Sequence, residues 1–105
     1  MKLTLLEINT MNGAVKELLD ETLPTAFVFR LVKLQKQLTE PLQIALETIQ
    51  KKMGDGLTEE QANVEVLSEE VELDIEKIPS SLFPNEIKGS IIQRLINIID
   101  LEGGD

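Results

Sequence analysis

The chain reads as an α+β domain, mostly helical, in the order β-α-α-α-β-α, with a small antiparallel sheet. Three observations predict this. Apolar residues recur at helical spacing over residues 11–19 and again over about 24–53. They alternate cleanly with acidic residues over 70–78. One other segment, 2–8, has strand character, and each of these two segments needs a partner for its backbone groups.

Residues 2–8, KLTLLEI, place Leu3 and Leu5 alternately with Lys2, Thr4 and Leu6 before Ile8 breaks the pattern. Asn9 or Thr10 is the expected cap of a first helix, in which Met11, Ala14, Val15, Leu18 and Leu19 form one apolar stripe. Pro24 suits the first turn of the next helix.

That helix, 24–53, is the longest element. Phe27, Leu31, Leu34, Leu38, Leu42, Ala45, Ile49 and Met53 step by three or four residues throughout. Their period, about 3.7, does not favour a left-handed coiled coil. Val28, Phe29, Val32 and Leu46 widen the apolar face towards each end. Pro41 removes a backbone hydrogen bond inside this helix, and a kink is expected there because the apolar phase carries across it.

Gly54-Asp55-Gly56 ends the long helix, and Thr58-Glu59-Glu60-Gln61 matches a capping box. A short helix over about 59–68, with Ala62, Val66 and Leu67 inward, follows; a strand through Val64 and Val66 is the competing reading. In EVELDIEKI, 70–78, Val71, Leu73 and Ile75 share one face, and Glu70, Glu72, Asp74 and Glu76 the other. This strand pairs with 2–8 and ends at Pro79. A last helix is expected from about Pro84 to Asp100, where Ile87, Ile91, Ile92, Leu95, Ile96, Ile98 and Ile99 cover more than half the circumference. Such a helix is either deeply packed or an interface, including one between copies of the chain. Residues 1–105 form one domain, with 101–105 a flexible tail.

Charge is distributed unevenly. Residues 1–53 hold seven Lys/Arg against six Asp/Glu, whereas 54–105 hold three against thirteen, which together give the net −9. Between Gly54 and Glu76 there are nine acids and no base. This balance repels nucleic-acid phosphates and anionic lipid surfaces. No apolar run approaches the roughly 18 residues of a membrane span, and Lys2, Thr4 and Glu7 interrupt any secretory core.

Catalytic chemistry has little to stand on. Cys and His are both absent, which removes thiolate chemistry, the commonest general base and the usual zinc ligands. Ser68, Ser80, Ser81 and Ser90 have no base and no nucleophile motif, and Gly54-Asp55-Gly56 is not a phosphate loop. Glu70, Glu72, Asp74 and Glu76 could be read as a cation site, but a solvated strand face is the simpler reading, and neither an EF-hand nor another metal motif is present. The chain is therefore expected to be non-enzymatic and to need no cofactor.

Three readings fit the acidic run, whose candidate contact residues are Glu59, Glu60, Glu65, Glu69, Glu70, Glu72, Asp74 and Glu76. It is a solvated face, a docking surface for a basic protein, or a DNA mimic that inhibits a nucleic-acid-binding enzyme. Ile92, Ile96 and Ile99 are candidates for an apolar contact on the last helix. Arg30, Lys33, Lys36, Lys51 and Lys52 give the long helix a basic edge. Without stacking aromatics it is an ordinary polar face, open to pairing with the chain's own acids.

The order of features resembles a family of short bacteriophage proteins of unknown function. The shared features are the Met1-Lys2-Leu3 opening, Leu23-Pro24 followed by FVFRLVKLQKQL, an acidic helix, and Val71-Glu72-Leu73-Asp74-Ile75. The likeness spans residues 1–78, and the isoleucine-rich ending departs from the shorter, more acidic one of that family. The resemblance implies a phage-encoded, non-enzymatic protein of the host cytoplasm. Expected roles are inhibition of a host factor, assistance in assembly, or a structural part of the virion or its tail.

Overall fold

The computed structural model describes residues 1–101. It contains strand β1 (Lys2–Thr4), helices α1 (Leu5–Leu19), α2 (Thr25–Gly54) and α3 (Glu59–Leu67), and strands β2 (Glu70–Glu72) and β3 (Ile78–Pro79). Helix α4 (Gly89–Leu95) and strand β4 (Ile99–Asp100) complete it, with 3-10 turns at Ser80–Leu82 and Ile96–Ile98. The class is the expected one, mostly helical α+β with a small antiparallel sheet. β1 pairs antiparallel with β2 in the register Lys2–Glu72, Leu3–Val71, Thr4–Glu70.

Both strands are shorter than expected. The first stops at Thr4 because Thr4, not Asn9 or Thr10, caps α1. Its hydroxyl accepts from Glu7 N at 3.1 Å and its own N–H donates to Glu7 Oε1 at 2.9 Å. Helical phasing then continues through Leu5, Ile8, Met11, Val15 and Leu18, all buried. Regular strand ends at Glu72; Leu73 makes one last backbone pair with Met1, its N–H donating to the Met1 carbonyl at 2.9 Å, and residues 73–77 then cross α2 as an irregular strap. The apolar alternation survives, with Ile75 buried and Val71 and Leu73 half-buried.

α2 appears over almost the expected range and runs through Pro41 as one element. Phe27, Leu31, Leu34, Leu38 and Ala45 are its buried face, Leu42 and Ile49 are half-buried, and Met53 is exposed. Phe29 and Leu46, expected to widen that face, point to solvent instead. α2 ends at a turn in which Gly56 has φ 104°, a conformation L side chains rarely adopt. The Thr58 box closes on Gln61 in both directions, at 3.1 and 3.0 Å, and fixes α3 as a helix rather than a strand.

The ending differs most from expectation. The helix expected over 84–100 is confined to Gly89–Leu95. Pro84 and Gly89 disfavour helix before it, no side chain caps it, and the β-branched Ile98 and Ile99 leave it for a 3-10 turn and β4. β4 pairs parallel with β3, Ile78 opposite Ile99 and Pro79 opposite Asp100, so Pro79 belongs to a second strand pair. Phe83 anchors the connector on Phe27, with ring centroids 4.7 Å apart at 53°. One core unites Leu3, α1, the first two thirds of α2, Val66, Ile75, Ile78 and the buried isoleucines of the ending. Of the tail expected over 101–105, Leu101 is exposed and the rest lies outside the described residues.

Candidate interaction surface

The acidic run divides into free and paired carboxylates. Glu59 and Glu60 stand exposed in the first turn of α3, where the helix dipole favours negative charge. Glu69 and Glu70 are exposed at the entry to β2, and the Glu69 carbonyl accepts from Leu5 N at 2.9 Å. Asp74 is exposed, and its carbonyl accepts from Gln37 Nε2 at 2.8 Å. Asp55, Glu59, Glu60, Glu69, Glu70 and Asp74 form no ion pair among the described residues.

Three acids are paired. Glu65 meets Lys52 at 3.2 Å. Glu76 meets Arg30 at 3.6 Å and Lys33 at 3.3 Å. Arg30 also donates to the Lys77 carbonyl at 2.8 Å. The basic edge of α2 is thus partly consumed by the chain's own acids, and it clasps the strap from above. The Glu72 carboxylate lies 2.6 Å from the amino group of Met1. That ammonium, through its hydrogen bond and its charge, with a smaller contribution from Lys2, holds Glu72 below the usual carboxylate range.

Among the described residues no three acidic side chains converge to hold a metal ion. The break after Glu72 takes Asp74 and Glu76 off the strand that would have aligned them with Glu70. No described helix is long and apolar enough to cross a membrane.

The isoleucine candidates separate. Ile99 is buried in β4 against the core, Ile92 packs half-buried beside it, and Ile96 is 50% exposed. Only Ile96 offers substantial surface to a partner. An ion pair from Arg94 to Glu17 ties α4 to α1.

Two clefts flank α3, and neither was apparent from periodicity or charge. One, of about 420 Å³, lies between α1, α2 and α3 and contains Asn9, Asn12 and Asn63 beside Leu42, Leu46 and Ile49. The other, of about 520 Å³, lies between Leu6 of α1 and Val64 of α3 and is almost wholly apolar. Asn63 and Leu67 line both. Asn12 carried a signal: it stands four residues after Ile8 on the buried side of α1, where an apolar residue is the rule. No family model matches the chain, and neither a curated protein nor a solved structure matches it.

Proposed function

We propose that this is a small, acidic, phage-encoded interaction protein of the host cytoplasm, non-enzymatic, that binds a basic partner protein. It acts as an inhibitor of a host factor or as an assembly accessory. One observation carries the reading: a run of nine acids without a base, six of which make no ion pair within the fold's described residues. Free carboxylates on an ordered helix start and strand entry raise association rate and specificity for a positive surface.

Capture of partners from bacterial lysate at low and high salt tests this. A complex held by these carboxylates weakens steeply as the Debye length shrinks from about 10 Å to about 3 Å. A salt-insensitive complex rejects the acidic surface and points to an apolar contact, of which exposed Ile96 on the last segment is one candidate. Competition between DNA and this protein for the captured partner would favour the DNA-mimic reading instead.

A further inference from the structure

We infer that the open edge of β2 receives an antiparallel strand of the partner, three residues of which are uncharged polar, aliphatic and basic in chain order. The inference rests on the proposed basic partner and adds where and how its segment is held.

The edge is the first observation. Among the described residues β2 has one strand neighbour, β1. Met1 and Leu73 exchange main-chain hydrogen bonds at 2.9 and 3.0 Å, and Leu5 N donates to the Glu69 carbonyl. Hydrogen-bonded pairs alternate along an antiparallel ladder, so Leu3 and Val71 form the one between them. The N–H and C=O of Glu70 and Glu72 therefore point away from β1, and no group among the described residues pairs with them. They stand two residues apart, about 7 Å, the repeat at which an extended chain offers its own groups.

The second observation is a cleft beside that edge, of about 320 Å³. Val71 and Leu73 form one wall, and Gln37, Glu40, Pro41 and Ile44 of α2 form the other. β1 does not line it, which places it on the open side of β2. Ile44 is 60% exposed there, and Val71 and Leu73 are half-buried.

Pattern and charge select the occupant. Residues directly opposite each other on neighbouring strands share a face. A partner residue opposite Val71 enters the cleft against Pro41 and Ile44, which suits an aliphatic side chain. A residue opposite Glu70 meets a carboxylate with no ion pair among the described residues. A residue opposite Glu72 meets one already neutralised by the Met1 ammonium, with Lys2 across the ladder. A base is thus favoured opposite Glu70 and disfavoured opposite Glu72, which fixes the order in an antiparallel segment. A second copy of β2 fits poorly, because two-fold pairing about Val71 sets Glu70 against Glu72 of the other copy.

The probe is acetyl-Ser-Thr-Leu-Lys-Ser-amide, titrated into the ¹⁵N-labelled protein at about 0.05 M salt. Its control, acetyl-Ser-Lys-Leu-Thr-Ser-amide, has the same composition and charge but sets the base opposite Glu72. Saturable shifts are expected at Glu70, Val71, Glu72 and Ile44, with the control binding about fivefold more weakly. Hydrogen exchange of the Glu70 and Glu72 amides should slow about tenfold with the probe at ten times its Kd. N-methylation of the probe's Lys nitrogen, the donor to the Glu70 carbonyl, should weaken binding about tenfold. Ile44→Ser, at an exposed position, should weaken it about threefold with the fold intact. The inference is overturned by an absence of saturable shifts at β2, or by equal binding of the control or of the N-methylated probe. Equal binding of probe and control, lost at about 0.5 M salt, would remove the strand and leave the basic-partner reading standing; the lysate capture tests that reading separately. Protection of Glu70 and Glu72 that rises with protein concentration alone would seat a second copy there and overturn the inference as well.

Discussion

The two ends of the acidic run, α3 and the 73–77 strap, carry the same charge to different ends. α3 is a capped helix whose first-turn acids, Glu59 and Glu60, are exposed and form no ion pair among the described residues. The strap has no regular hydrogen-bond ladder, and α2 supplies what the ladder does not: Arg30, Lys33 and Gln37 reach its carboxylate and carbonyls. Acidity at Glu76 therefore serves folding through ion pairs, whereas Glu59 and Glu60 have no ion-pair partner among the described residues and sit where the α3 dipole favours negative charge. A count of acids cannot separate these uses; the partners of each can.

The largest expected effect tests what holds the strap. Ile78 is fully buried at its end, so Ile78→Ala should cost about 2–5 kcal/mol in a urea unfolding curve. A loss below about 0.5 kcal/mol would mean that the strap is not held by burial. Next, Thr58→Ala removes the α3 cap and should cost about 1 kcal/mol by the same measurement. Smaller still, Glu76→Gln breaks two ion pairs at a carboxylate that is largely exposed. Solvent screening limits its cost to about 0.2–1 kcal/mol. Glu70→Gln, whose carboxylate has no ion pair among the described residues, should change stability by less than about 0.5 kcal/mol.

Glu72 adds a pH dependence of known sign. Its folded pKa is lowered by the Met1 ammonium, so its contribution is fully present above the unfolded carboxylate value. That contribution is lost as pH falls through the lower folded value. Glu72→Gln should flatten the acid limb of the stability–pH curve and leave neutral-to-basic slopes unchanged; an unaltered acid limb would deny the pairing.

Much of the fold was legible in local pattern. The stripe from Phe27 to Ala45 marked α2, and Thr58 with Gln61 marked the start of α3, because both signals lie within a few residues. The Thr4–Glu7 box was equally local, but the Leu3–Leu5 alternation concealed it and stretched the strand to residue 8. The ending was not legible. Its isoleucines suit helix and strand alike, and the Ile78–Ile99 pairing that decides between them spans more than twenty residues. At the candidate surface, the acids were visible in sequence but their division was not, since Arg30 and Lys33 reach Glu76 only through the tertiary fold. Asn12 was readable only as a polar residue out of place on an apolar stripe.

The most direct measurement is partner capture by the wild type, by a variant with Glu59, Glu60, Glu69 and Glu70 changed to Gln, and by Glu76→Gln, each at two salt concentrations. Binding through the free carboxylates predicts that the quadruple variant loses the partner at both concentrations. Glu76→Gln and the wild type should hold it at low salt and release it at high salt. Equal capture by all three proteins, unaffected by salt, would contradict it.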